Sequence, residues 1–354
     1  MKDANIMDKT AFIKEYSQIA SDFRLVQNPE SIVVVASEHK THLDLVPRTL
    51  YKYRPINDYT LDSIANNYLY LAPLNKMDDP FEGAVKHMNL SELELRQRFQ
   101  SDDTFKYFIT KLFEFYHIYT DAALTIFTKQ AFSENQGKYD FYYATKYLIE
   151  DSKLSFDLTT KILSIIEAFL RNNSMQDAII KGISSFCHLR ETTGVCSLTT
   201  NCSNQQMWAT YGDEYKGCCI AYSIENDDYS MLIDLVPIHY DNTRNFDPVL
   251  MMVESFAEGG FDNLETLFAN FTNKLFLVST RKGKEWENQD EWRIIGEATK
   301  QKTRAPAISS IIIGNQCSNE NKKRVEAICA NKHIPLKRQV INYETGKIEF
   351  EDYE

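Results

Sequence analysis

Residues 50–54 read L-Y-K-Y-R, a strict alternation that predicts a β-strand, and Pro55 ends it because proline has no N–H to give a ladder. The two-residue period sets Lys52 and Arg54 on one face and Tyr51 and Tyr53 on the other. The following T-L-D-S-I-A-N-N predicts a short helix with Thr60 as its N-cap. Residues 68–72 predict a second strand, closed by Pro73 and by the D-D-P turn at 78–80. Upstream, Phe12, Tyr16, Ile19, Phe23 and Val26 recur at spacings of three and four, which predicts an amphipathic helix over 8–26, and 31–36 contains a short apolar strand candidate.

The pattern changes over 90–186. Gly137 and Gly182 are the only glycines there, proline is absent, and Phe105, Phe108, Ile109, Leu112 and Phe113 repeat at helical spacing, so three to five helices are expected. Strand patterns resume at 194–199 and 217–224, around a short helix at 203–211 capped by Ser203. A strand over 231–240, a helical stretch over 248–278, strands at 291–296 and 307–313, a helix at 319–331 and a strand at 334–342 follow. The expected fold class is α+β: a mixed or antiparallel split sheet core with an all-helical block inserted at about 90–186. The expected organisation is an N-terminal extension over 1–45, the α+β domain over 46–342 and a C-terminal tail over 343–354.

Composition narrows the function classes. The chain has 354 residues, enough for a full-sized core, with 43% hydrophobic and 25% charged residues. Its net charge of -11 disfavours a nucleic acid partner and favours a protein or small-molecule one. Seven cysteines without a C-x-x-C pair argue against a disulfide framework or zinc ribbon. No stretch of about 18 apolar residues and no apolar leader segment is present, so neither a membrane partner nor export is expected, and the cytoplasm is the expected compartment.

Four motifs carry candidate chemistry. Lys52 and Arg54 could grip a phosphate or ribose, Arg with its planar fork and Lys as a point charge. In M-W-A-T-Y, Trp208 and Tyr211 lie three apart on one helical face, as a core pair or as an aromatic wall for a flat cationic ring. In W-E-N-Q-D-E-W-R, strand alternation sets Glu291 and Arg293 on one side, either as an edge ion pair or as a carboxylate held at the rim of a cleft beside Trp286. Asp78, Asp79 and Glu82 gather at a proline turn and, with Glu291, offer a metal-assisted nuclease as an alternative, although they lack the spacing of a calcium loop and no metal ligand is assigned.

Taken together, Y-K-Y-R, Y-L-A-P with D-D-P-F-E, M-W-x-x-Y-x-x-x-Y-K-G with C-I-A-Y, W-E-x-x-x-E-W-R and I-I-I-G resemble the bacterial family catalogued as domain of unknown function 2971, from about residue 48 to 342. The chain departs from that pattern at Asp78, where Asn is usual. The layout in turn is similar to that of ADP-ribosyltransferases. That likeness implies NAD as a consumed substrate in a toxin-type or phage-defence effector, with Lys52 or Arg54 holding the NAD ribose, Tyr70 or Trp208 stacking on nicotinamide, and Glu291 hydrogen-bonding a ribose hydroxyl. Tyr53, Tyr211 and Arg293 complete the candidate pocket. A non-catalytic nucleotide-binding or protein-interaction module is the alternative.

Overall fold

The structure is a computed structural model that describes residue 12 and residues 43–86, 89–118, 154–225, 229–242, 246–261 and 264–353. The helix expected over 8–26 lies outside these residues except for Phe12, which is helical and buried with its ring edge-on to Trp292. The strand expected over 31–36 also lies outside them. The chain divides into two compact units, one of residues 1–83, 190–242 and 279–354, the other of residues 84–189 and 243–278.

The first unit is built on a mixed sheet. Its strands are β1 (Thr49–Arg54), β3 (Ala72–Pro73), β4 (Thr193–Thr199), β5 (Cys218–Ser223), β6 (Leu235–Pro237), β9 (Glu291–Glu297), β11 (Ala307–Ile313), β12 (Leu336–Asn342) and β13 (Lys347–Asp352). Two small ribbons join β2 (Tyr68–Tyr70) to β10 (Lys302–Arg304) and β7 (His239–Tyr240) to β8 (Arg281–Lys282). The main sheet has the order β13-β12-β11-β5-β1-β4-β9-β6, with β3 added beside β4. All its pairings are antiparallel except β11 with β12, which a helix, Asn319–Lys332, connects in parallel. The α+β class is therefore observed.

Pairing is uneven across this sheet, and the unevenness makes room for a site. β1 pairs with β5 along six positions from Thr49↔Ser223 to Arg54↔Cys218, and β4 pairs with β9 along seven from Thr193↔Glu297 to Thr199↔Glu291. Between β1 and β4 only Tyr51↔Thr199 is paired, so the sheet opens there. The alternation of β1 holds: Leu50, Lys52 and Arg54 stand opposite Tyr222, Ile220 and Cys218, while Tyr53 joins Cys219, Ile312 and Trp208 in an apolar cluster on the other face.

Several expected boundaries change. The helix Asp58–Asn66 is capped by Asn57, whose side chain accepts from the Thr60 N–H, so Thr60 is a buried residue of the first turn. Asn204, one residue beyond Ser203, caps Gln205–Thr210. The apolar run at 231–240 is split into a helical turn, Tyr229–Asp234, and the short strands β6 and β7, because a run of apolar residues has no period that separates strand from buried helix. The expected tail over 343–354 instead supplies β13, which pairs with β12 at six positions from Lys337↔Asp352 to Asn342↔Lys347.

The second unit is helical. Its helices include Glu92–Phe99, Asp102–Phe115, Phe156–Arg171, Asn173–Cys187 and Pro248–Ser255, so the helical unit takes in the 248–278 stretch as well as the expected 90–186 block. Serine or asparagine caps begin the first four, and Asp247 caps the fifth. Their apolar faces meet in an aromatic-rich core in which Phe108 and Phe169 stack at 4.0 Å.

Candidate functional site

A cavity of about 310 Å³ lies where β1 and β4 part, lined by Lys52 and Arg54 of β1, Ser197 of β4, Tyr211, Lys282 and Glu291 among others. Tyr53 and Tyr70 also line it. A second cavity of about 600 Å³ shares Lys52, Arg54, Pro55 and Tyr70 with the first. Its own walls carry Tyr59, Tyr68, Tyr222 and Lys302, so the two hollows meet over a saddle of two cations.

The Lys52 ammonium donates to the Ser197 carbonyl across the opening between the strands. Burial pulls its pKa below the usual lysine value, and the Arg54 charge adds to the fall while Glu291 opposes it. The strand alternation that pairs Lys52 with Arg54 thus produces a cationic edge on the cavity.

Glu291 opens β9 and is only 3% exposed. Its Oε1 accepts from Arg293 Nε at 2.6 Å and its Oε2 from Lys282 Nζ at 2.9 Å. Burial alone would raise this carboxyl, but Arg293 and Lys282 outweigh it and hold Glu291 well below the usual carboxylate range, so it is an anion. Arg293 is fully buried, does not line the cavity, and holds Glu82 and the Ser279 carbonyl with its other nitrogens. Its expected place in the pocket is corrected to one behind Glu291, because the inward face of β9 leads into the interior after its first residue.

Lys282 belongs to a chain of polar contacts along the floor of the cavity. It donates to Gln289 Oε1 at 2.9 Å and lies 5.0 Å from the Trp286 ring centroid. Gln289 donates in turn to the Tyr211 hydroxyl at 3.1 Å. Burial and the neighbouring Asp78 carboxylate push that hydroxyl up, so Tyr211 is a neutral phenol. The Tyr240 hydroxyl accepts the Glu291 backbone N–H at 2.8 Å and fixes the start of β9.

Trp208 does not form the expected aromatic wall. It is fully buried, donates its indole N–H to the Cys202 carbonyl at 2.9 Å and packs edge-on against Tyr53 at 5.1 Å. Tyr53 lines the cavity, but it is 4% exposed and its hydroxyl is bonded to the Asn201 carbonyl at 2.8 Å, so it serves as wall. Tyr211, the partly buried Tyr51 and the more exposed Tyr70 are the other rings that line the space. The G-D-E-Y-K-G segment after Tyr211 contains three successive left-handed residues, Asp213, Glu214 and Tyr215. It ends at Gly217, where a Cβ would come within 2.3 Å of the Arg54 carbonyl, so the glycine allows this turn to close on the end of β1.

The chain matches no protein-family model, no curated protein and no solved structure. What the site can do is therefore argued from its own chemistry. Glu82 and Glu291 do converge, as the metal alternative requires, but on Arg293 and Lys282, whose charges fill the place of a metal ion. Among the described residues no group of three His, Cys, Asp or Glu side chains is arranged to hold one. Among the described residues, too, no helix is long and apolar enough to cross a membrane.

Sequence reasoning brings Lys52, Arg54, Tyr53, Tyr70, Tyr211 and Glu291 to one cavity and misses Lys282 and Gln289. The signal for Lys282 lies in R-K-G-K, where alternation from Arg281 separates two neighbouring cations onto opposite sides, but a two-residue strand is too short to read.

Proposed function

We propose that this chain binds NAD and breaks its nicotinamide–ribose bond, transferring the ADP-ribose to a macromolecular acceptor or to water, in the manner of an ADP-ribosyltransferase-type effector of bacteria. The reading rests on one observation: Lys52, Arg54, Tyr70, Tyr211 and an ionised Glu291 line a single cavity. In the reaction the C–N bond at the ribose C1 breaks and its electron pair leaves with nicotinamide. An acceptor oxygen or nitrogen then bonds to C1 and gives up its proton. Positive charge builds on the ribose in between, and a carboxylate kept ionised stabilises it.

Glu291 suits this electrostatic role and not that of a general acid, since two cations hold it deprotonated. A carboxylate has about four lone-pair directions, so a ribose hydroxyl can share an oxygen with Lys282. Lys52 and Arg54, at the saddle between the two hollows, neutralise the pyrophosphate, and Tyr70 or Tyr211 stacks on the nicotinamide ring. The tyrosine-rich second cavity has space for the remainder of the dinucleotide.

One feature favours binding without turnover as a second reading: both Glu291 oxygens are already engaged. Purified protein incubated with NAD separates the two. Nicotinamide release that falls about 100-fold or more in Glu291→Gln is the expected result. Calorimetric binding of ADP-ribose without any release would support the binding module, and release unchanged in Glu291→Gln would remove Glu291 from the mechanism.

A further inference from the structure

The D-D-P-F-E turn carries a buried charge that lines neither cavity: Glu82 is 1% exposed. We infer that Glu82 is a positioning residue, which sets the alignment of the Glu291 carboxylate by acting through Arg293. The inference rests on the reading of the Glu291 cavity as a site of ribosyl chemistry.

The backbone of the turn fixes Glu82 first. The Asp79 carboxylate accepts from the Phe81 N–H at 2.9 Å, and the Asp79 carbonyl accepts from the Glu82 N–H at 3.1 Å. Gly83 follows at φ +63°, where a side chain would be strained and its Cβ would lie 2.8 Å from Leu74 Cδ1. The glutamate is thus delivered by a hydrogen-bonded turn 211 positions away in sequence from its partner.

That partner has no remaining freedom. Arg293 gives Nε to Glu291, one terminal nitrogen to Glu82 and the other to the Ser279 carbonyl at 3.0 Å, so its plane is fixed on three sides and two of the anchors are acids. Lys282 stands 3.7 Å from Glu82 and 2.9 Å from Glu291. The two acids and two cations cancel, which makes burial of all four tolerable. Neutralising Glu82 leaves Arg293 an uncharged and weaker anchor on that side and turns the charge of both cations onto Glu291, leaving that carboxylate less available to a ligand hydroxyl.

The groups that face Glu82 are Arg293 and Glu291 from β9 and Lys282 from β8, and its Oε2 has no hydrogen-bond partner among the described residues. Burial, reinforced by Glu291, pushes the Glu82 carboxyl up against the pull of Arg293 and Lys282. As pH falls Glu82 therefore takes a proton before Glu291 does, and the alignment is lost on that limb.

The full chain carrying Glu82→Gln tests this. The expected result is nicotinamide release with kcat lowered about tenfold or more and KM within about twofold, together with loss of the acid limb seen in the unaltered protein. A kcat and a pH profile that are unchanged while Tm falls would make Glu82 merely structural and overturn the inference. A second measurement needs no substrate: Tm losses of Glu82→Gln, Glu291→Gln and the double variant form a cycle, expected to be non-additive. Additive losses overturn the inference, whereas non-additive losses in a chain that releases no nicotinamide uphold the positioning and overturn the ribosyl reading. Should Glu82→Gln fail to fold, Glu82→Asp is read by the same two measurements.

Discussion

In the helical unit Asp247 is 6% exposed, and its carboxylate accepts from the Val249 and Leu250 N–H groups and pairs with Arg98. In the sheet unit Glu291 is 3% exposed, and its carboxylate is held by Arg293 and Lys282 beside a cavity. The first acid completes a helix end and belongs to secondary structure. So do the other polar side chains buried among the described residues of that unit: Gln176 bonds the Phe169 carbonyl, Thr104 the Arg98 carbonyl and Ser255 the Met251 carbonyl. In the sheet unit Asp79 likewise serves a backbone N–H, but Glu82, Lys282, Glu291 and Arg293 satisfy one another beside a space, and of these four only Arg293 also bonds a backbone group. Helix ends need polar side chains wherever helices pack, whereas a neutral set of four charges beside a hollow needs a further reason, which is why the chemistry is assigned to the sheet unit.

The contrast can be broken most severely at Arg293. Arg293→Met leaves Glu82 and Glu291 buried with Lys282 alone, and a loss of about 3–5 kcal/mol is expected in chemical denaturation at neutral pH. A loss within about 1 kcal/mol would mean that the four charges are not interdependent. The two acids tilt stability in opposite directions with pH. Glu291, lowered by its cations, contributes stability that is present above the unfolded carboxyl value of about 4.3 and is lost as pH falls toward its folded value. Glu82, raised by burial, contributes stability that is present below that unfolded value and is lost as pH rises through its folded value. Glu291→Gln should accordingly flatten the acid side of a Tm-against-pH curve.

A smaller effect sharpens the comparison from the helical side. Ile166, fully buried in the apolar core, should cost about 0.5–1.5 kcal/mol as Ile166→Val, with ADP-ribose affinity unchanged by calorimetry. The smallest effect belongs to Lys302, an exposed cation 3.9 Å from the Tyr68 ring centroid that lines the second cavity. Lys302→Gln should leave stability within about 0.5 kcal/mol and weaken ADP-ribose by a few-fold, and equal binding would remove that cavity from the ligand's path.

Much of this was legible wherever a local period carried it. Ala307–Ile313 has the bounds its pattern predicts, and the alternations through Lys52 and through Glu291 placed the right side chains on the right faces. Trp208 was misplaced because a pair of aromatic residues three apart reads identically as core and as pocket wall. The sequence joins Glu82 to Glu291 only as a possible metal ligand and joins Lys282 and Gln289 to neither, because the partnership depends on the closing of distant segments and no periodicity reports which of many charges becomes buried. The expected tail is an exception to that rule: Ile348 and Phe350 alternate with Lys347, Glu349 and Glu351 at the two-residue period of a strand, and both pack on the cluster around Tyr53.

That last strand has a consequence for how the protein coexists with its own copies. β13 closes the outer margin of the nine-stranded sheet, and its solvent-facing positions carry Lys347, Glu349 and Glu351. Without it, the flank of Leu336–Asn342 would offer a row of open amides and carbonyls, an invitation to intermolecular stacking that this charged selvage now turns away.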